Sequence, residues 1–394
     1  MQATEQIFCL IDFFRPPGYT DSMITIEKTV NLKTQYPLNR LGEPGSTVFF
    51  DIETTGFSAD YQSVYLIGAL VPEEEHFRFY QWFADSRQSE ADVLSAFFSF
   101  LCPFSALVHF NGDTFDLPFL NRRAEILGVP SSLEKLESID IYKQIRPLKQ
   151  FLGLENLKQK SVERFLGIHR EDQYNGGQLI DVYKEYLHTK EDSLLSLLLL
   201  HNEEDLYGMP ALLPILSYGT FFRQDFSLSE LRLPQKDSGQ LLLILEGEKE
   251  MPLPVPVRAS ADGYAFYAHE HILELSIQPY SGMLKHYYPN YQDYYYLIYE
   301  DTAIHKSVGE YVDRQARKKA TKDTCYTKKE GSFLPQPVPI WTPEFKLSRK
   351  EKTSFFELTL DCFSDEKRLS SYVKAILDTA LKDAKRLETA ASNA

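Results

Sequence analysis

The chain has 394 residues, 43% hydrophobic and 25% charged, which fits a folded protein of two or three domains and excludes disorder as the main state. Its 42 Lys and Arg against 56 Asp and Glu leave a formal charge of −14, which excludes a bulk electrostatic DNA coater; nucleic acid must be met locally or through bound metal. No apolar run, the leucine-rich Leu194–Leu200 included, approaches the ~18–20 residues a membrane span needs. Cys9, Cys102, Cys325 and Cys362 are scattered with no CxxC pair, against a zinc ribbon or disulfide framework. The opening residues carry neither a basic leader nor a small-residue cleavage site, so no signal peptide is read and a reducing cytoplasm is expected.

Residues 1–45 read as a polar N-terminal extension with turn signals at Arg15-Pro16-Pro17-Gly18 and Gly42-Glu43-Pro44-Gly45. Residues 47–53, 63–71 and 76–83 then read as three strands with short connections, an antiparallel meander. Helical spacing of Val93, Leu94, Phe97, Phe98 and Leu101 predicts a helix over 89–101. A short strand over 106–110 ends at Asn111-Gly112, and a helix over 115–127 confines Pro118 to its first turn. A fifth strand is expected over 137–142, then helices over 161–166, 178–187 and 193–217, the last broken near Gly208-Met209-Pro210. This order predicts an α/β layer fold of ribonuclease-H type, a mixed sheet flanked by helices. After a boundary near 219–235 the texture turns β-rich, with short strands over 241–245, 264–268, 272–277 and 294–299. A helix over 364–387, opened by Ser364, follows, and a small polar tail closes the chain at 389–394. The expected division is therefore 1–45 extension, 46–218 ribonuclease-H-like domain and 219–394 β-rich accessory domain.

Three segments carry chemistry. In Asp51-Ile52-Glu53 the two acids share a strand face, and two adjacent carboxylates repel unless a cation lies between them. Alone, such a pair is better explained by a solvated strand end. In His109–Leu120 a strand turns at Asn-Gly into a helix with Asp116 in its first turn, where the helix dipole alone would favour an acid, and Asp113 is a second acid or a helix cap. In His201-Asn202-Glu203-Glu204-Asp205, His201 and Asp205 share a helix face after a leucine-rich stretch.

Together these segments resemble DEDD-type 3′–5′ exonucleases of the ribonuclease-H fold, and within them the YprB-like bacterial proteins. The matching text is FFDIETTGFS at 49–58, VYLIGAL at 64–70, HFNGDTFDLPFL at 109–120, SIDIY at 138–142, VERFLGIHRED at 162–172 and HNEED at 201–205. The resemblance covers about residues 47–217 and implies that Asp51, Glu53, Asp116 and Asp205 are catalytic carboxylates holding two Mg²⁺ or Mn²⁺ ions. Such hard ions take carboxylate oxygens and keep positions open for phosphate and water. It also implies a substrate-contacting role for Thr55, Asn111 and Phe115, although Phe115 suits core packing equally. Members usually place Tyr three, or His four, intervening residues before the last Asp. Here His201 stands at the tyrosine spacing, so a catalytic role as general base is open beside one of packing.

The implied activity is cleavage of single-stranded or 3′-ended DNA or RNA, with no membrane and no identifiable protein partner. The rivals are a nucleic-acid-binding module with little catalysis and a structure-selective endonuclease. Lys158, Lys160 and Arg164 could meet phosphates but fit a solvated helix face. A tyrosine-crowded window (Tyr280, Tyr287, Tyr288, Tyr291, Tyr294, Tyr295 and Tyr296) precedes the basic stretch 306–329, which suits single-strand binding or a tyrosine-rich β core.

Overall fold

The computed structural model describes residues 23–43, 45–168, 176–234, 239–261, 263–359 and 361–392. The turn expected at 15–18, part of the 162–172 match and the last residues of the tail lie outside them. In chain order come β1 (Met23–Val30), β2 (Thr47–Thr54), β3 (Val64–Pro72), β4 (Phe77–Ala84), α1 (Glu90–Phe100), β5 (Ala106–His109), α2 (Asp116–Leu127) and β6 (Glu137–Asp140). The helices α3 (Ile141–Ile145), α4 (Gln159–Phe165), α5 (Gly176–Thr189), α6 (Asp192–Leu212) and α7 (Leu216–Phe221) follow. The remaining elements are β7 (Ser227–Arg232), β8 (Leu241–Glu246), β9 (Leu253–Ala261), β10 (Tyr264–Glu270), β11 (Ile272–Ile277), β12 (Tyr280–Tyr287), β13 (Tyr294–Leu297), β14 (Thr302–His305), α8 (Lys306–Gly309), β15 (Arg317–Lys319), β16 (Tyr326–Gln336), β17 (Ser354–Glu357) and α9 (Glu366–Ser392). The chain divides into two compact units, Met1–Ile141 with Arg170–Ala211, and Tyr142–His169 with Leu212–Ala394.

The first unit is built on a six-stranded sheet in the order β1-β4-β3-β2-β5-β6. The β2–β3–β4 meander is antiparallel as expected, whereas β2–β5 and β5–β6 are parallel, β5 being reached from β4 through α1 and β6 from β5 through α2. Consecutive residues Val48, Phe49 and Phe50 are all fully buried, so both sheet faces are covered. On one face Phe50 and Trp82 pack on Phe97 of α1. On the other, Phe79 meets Tyr207 of α6 and Phe83 meets Tyr186 of α5. Asp51 and Glu53 share the α6 face with Phe49, as period-two alternation requires.

Several boundaries differ from the sequence reading. The segment expected as an extension supplies β1, an antiparallel edge strand on β4, and Lys28 in it reaches Glu203 of α6 at 2.7 Å. The strand expected to run to Tyr142 ends at Asp140, where α3 begins. α6 continues through Gly208-Met209-Pro210; it gives way to a single 3-10 turn at Leu213–Ile215, where Pro214 lacks the amide hydrogen that an α-helix needs. The last helix is opened by Asp365, whose carboxylate accepts the amides of Lys367 and Arg368, rather than by Ser364.

The second unit is β-rich and ends in α9. It holds a five-stranded antiparallel sheet (β7-β8-β11-β10-β9) and two three-stranded sheets (β12-β16-β17 and β14-β13-β15). Leu369, Tyr372, Val373, Ile376 and Leu377 form the buried stripe of α9, and Tyr372 donates to the Pro335 carbonyl at 2.7 Å. The tyrosines of the crowded window are half-buried. Tyr288, Tyr291, Tyr294 and Tyr296 pack around Ala303, Ala320 and Cys325, with Tyr288 stacked on Tyr294 at 4.8 Å. Neighbouring cations sit over these rings or their neighbours: Arg317 over Tyr295, Lys318 over Tyr296 and Lys285 over Tyr326. The window is thus a tyrosine-built core with cations folded onto it.

One close approach in the first unit governs the rest. Gly68 of β3 pairs with Asp51, and a Cβ there would lie 2.1 Å from Asn202 Oδ1 and 2.4 Å from Leu206 Cδ1 of α6. The helix rests on the strand where a side chain is missing. Gly68→Ala should push α6 off the sheet and destabilise the fold by about 1–3 kcal/mol. Urea unfolding of the variant checks this, and a midpoint equal to wild type would contradict the packing described.

Candidate functional site

β2 delivers Asp51 and Glu53 to the α6 face, and α6 answers with a polar stripe. Along α6 the buried positions Leu195, Leu198, Leu199, Asn202 and Leu206 follow helical spacing, so Asn202 occupies a core position among leucines. It is fully buried. Its amide nitrogen donates to Asp51 Oδ2 at 3.0 Å, and its oxygen accepts from Gln81 Nε2 at 3.0 Å. Gln81 also donates to the Leu199 carbonyl at 2.9 Å, fixing the rotation of α6 against β4. With that rotation set, His201 and Asp205 fall beside the end of β2. His201 Nε2 lies 3.4 Å from Asp205 Oδ2 and 3.7 Å from Glu53 Oε1.

Asp116 arrives from the β5–α2 turn, held by a relay. Asn111 takes the left-handed conformation (φ 68°), and a Cβ on Gly112 would strike the His109 ring at 2.6 Å, so the Asn-Gly pair is dictated by the backbone. The Gly112 amide donates to His109 Nδ1 at 3.0 Å. That fixes the proton on Nε2, which donates to Ser138 Oγ at 2.8 Å, and Ser138 in turn donates to Asp113. Asp140, 3% exposed, accepts the amides of Asn111 and Asp113. Asp113 therefore serves this relay rather than capping α2. The turn is pinned at both sides, and α2 opens at Asp116.

The electrostatics of the cluster are those of like charges held together. Burial first, and then the charges of Asp205, Glu53 and Asp116, push the Asp51 carboxyl well above the usual carboxylate range, against the lowering effect of the Asn202 hydrogen bond. Asp116 is pushed up to about 7 by burial and, less, by Asp140, while its own amide and that of Ile52 pull the other way. Tyr65, fully buried and stacked on Tyr183 at 4.1 Å, stands in the field of Glu53; burial first, then that charge, raises its phenol well above the usual range. The structure thus brings Asp51, Glu53, Asp116, Asp205 and His201 together. Glu53, His201 and Asp205 each offer one donor atom within 4.8 Å of one another. A crowd of buried carboxylates is the donor set that hard divalent cations take, so the residues present fit such ions.

Around this cluster, Thr55 accepts the Ser63 amide and donates to Gln62, both at 2.9 Å, stabilising the loop after β2. Asn111 accepts from Thr114 at 2.8 Å. Phe115 is half-buried, tilted against Phe119 at 5.4 Å and edge-on to Phe57 at 6.2 Å. Phe57, at 88% exposure, holds an aromatic ring out into solvent beside Phe115. Lys158, Lys160 and Arg164 are exposed and belong to the second unit. Sequence reasoning missed Asn202, Gly68, Tyr65 and the His109–Ser138–Asp140 support. A polar residue inside a leucine stripe and a glycine inside a buried strand were the available signals.

The RNase_H_2 family model, of the RNase_H superfamily, matches residues 48–216. No curated protein matches the sequence. Among solved structures the chain is similar to a product-bound structure of exonuclease I, at 11% identity over 60% of this chain and 65% of that one, with a TM-score of 0.32. It is also similar to the zinc-bound form of an E. coli exonuclease I complex with single-stranded DNA, at 12% identity over 51% and 54%, with a TM-score of 0.27. The chain therefore spans less than two thirds of the length of either. Among the described residues, no helix is long and apolar enough to cross a membrane. Residues 48–216, which hold every side chain of the acidic cluster, carry the ribonuclease-H-like fold expected from the order of elements.

Proposed function

We propose that residues 46–218 form a divalent-metal-dependent 3′–5′ exonuclease domain of the DEDD kind, YprB-like within it. It hydrolyses phosphodiester bonds at the 3′ end of DNA or RNA in the cytoplasm, and residues 219–394 form an accessory domain. The observation that carries this reading is the convergence of Asp51, Glu53, Asp116 and Asp205 at one end of the sheet, where burial first, and then their mutual repulsion, raises the Asp51 carboxyl. Two Mg²⁺ or Mn²⁺ ions would supply the Lewis acidity for an in-line displacement of the 3′ oxygen.

The chain's own residues do the rest. The four carboxylates hold the ions. Asn202 orients Asp51 through its amide, and the His109–Ser138–Asp113 relay fixes the turn that presents Asp116. Thr55, Asn111 and Phe115 line the approach for the terminal nucleotide, with Phe57 offering a ring face for a base. His201 belongs to the same cluster, and its neutral ring can accept a proton from water or donate a lone pair to an ion.

Removal of the ions has a signed consequence for stability. Asp116 titrates near 7 in the folded chain against an ordinary 3.8, so the folded state holds a proton that the unfolded state has released between those values. The associated stabilisation is full below about pH 4 and is lost as pH rises through about 7. In chelator, Tm should fall between about pH 5 and pH 8, and Mn²⁺ should raise it more at the upper end. Asp116→Asn should flatten that fall; an unchanged slope would reject the assignment to Asp116.

Activity is checked with end-labelled single- and double-stranded DNA and RNA in Mn²⁺. A ladder receding from the 3′ end is expected, abolished by EDTA. Asp51→Asn or Asp205→Asn should reduce it by about 10²-fold or more, since each removes metal-borne charge stabilisation worth several kcal/mol. Both variants should melt no lower than wild type in chelator, because each relieves repulsion. Cleavage of 3′-blocked strands would mark an endonuclease, and binding without digestion in any divalent ion would leave a nucleic-acid-binding module.

A further inference from the structure

The imidazole of His201 has a more specific use than its neighbours suggest. It stands one turn before Asp205 on α6, so a single helix carries both donors in fixed relation, and Glu53 reaches them from β2. The separations from Nε2, 3.4 Å to Asp205 and 3.7 Å to Glu53, exceed the ~2.7–2.9 Å of a charge-assisted hydrogen bond. They suit donors that share an ion: two ligands each ~2.1 Å from one cation lie ~3.4 Å apart at a tetrahedral angle. Histidine paired with a second ligand four residues along a helix is a chelating arrangement in its own right. The ring is also held at its base, because the adjacent Asn202 is bonded to both Asp51 and Gln81 and α6 cannot rotate freely.

We propose that His201 is a metal ligand through Nε2. Glu53, His201 and Asp205 then form a mixed nitrogen–oxygen position within the acidic site, one that favours a first-row transition cation such as Mn²⁺, Co²⁺ or Zn²⁺ over Mg²⁺. The proposal rests on the reading of the cluster as a divalent-metal site. Imidazole adds affinity along the first-row series, whereas Mg²⁺ prefers oxygen and retains its waters. The Nε2 lone pair is then engaged by the ion, so the general-base role suggested by the sequence falls elsewhere.

The test uses the full chain and Mn²⁺ alone. Electron spin-echo modulation of the bound Mn²⁺ should show a directly coordinated imidazole nitrogen in wild type and lose it in His201→Gln and His201→Tyr. Titration should show Mn²⁺ affinity weakened by about 10–100-fold in these variants, at least the cost of losing a mere supporting partner, with Mg²⁺ affinity changed less. Mn²⁺ bound with no nitrogen modulation in wild type overturns the proposal and returns His201 to proton transfer or packing. So does modulation that persists in both variants. If neither variant folds, the wild-type spectrum decides by itself. Failure of the chain to bind any divalent ion would instead sink the exonuclease reading, and this proposal with it.

Discussion

Carboxylates drawn together out of water repel one another, and the first unit is organised around containing that repulsion. Asp51 is the focus: burial first, and then three other acids, raise its carboxyl, and one amide, that of Asn202, steadies it. Such a cluster survives only on a frame stiffer than the force it opposes. Here the frame is a central strand buried on both faces, a helix docked where Gly68 leaves room, and a turn fixed by a buried histidine. On the proposed function, the instability of the cluster is the counterpart of its use, because a cation entering it would gain what the folded chain gave up.

The two supports differ in kind. α6 is held by packing and a short amide chain, Gln81 to Asn202 to Asp51, which sets rotation as well as distance. The β5–α2 turn is held by a proton relay that works only in one tautomer of His109. Lys28 adds a third tie, joining the edge strand to Glu203 on the outer side of α6 and lying over Phe79 and Tyr207. The polar contacts near the site thus divide between those that position acids and those that keep their carriers from sliding.

Much of this was legible in the sequence, for physical reasons. The D-x-E at the end of a buried strand, the Asn-Gly turn before Asp116 and the acid-rich end of α6 lie where alternation and helical period put side chains on one face. β2 to β4 were readable as short apolar runs bounded by turn signals, and α1 because its apolar residues repeat at helical spacing. β1 was not: as an edge strand it is only half-buried, and Lys28 falls on the face of Ile24, Ile26 and Val30, where it interrupts the alternation. Asn202 looked like the polar end of a leucine helix, since sequence shows that a residue interrupts a stripe but not what lies opposite it. In the second unit, the tyrosines of the window 280–296 serve as core and as cation seats at once, so neither polarity nor charge reveals the pairing of their strands.

The amide that steadies Asp51 comes from 151 residues further along the chain, and the tie from Lys28 to Glu203 spans 175. Contacts of such separation form only after a large loop has closed, which makes them slow and late relative to the local meander. The sheet can therefore organise its central strands, and present Asp51 and Glu53, before the helix carrying their partners is in place. On a growing polypeptide the delay is absolute: until α6 has been made, the first two acids have neither their amide nor their fourth carboxylate. The order of synthesis separates possession of the acids from possession of the site.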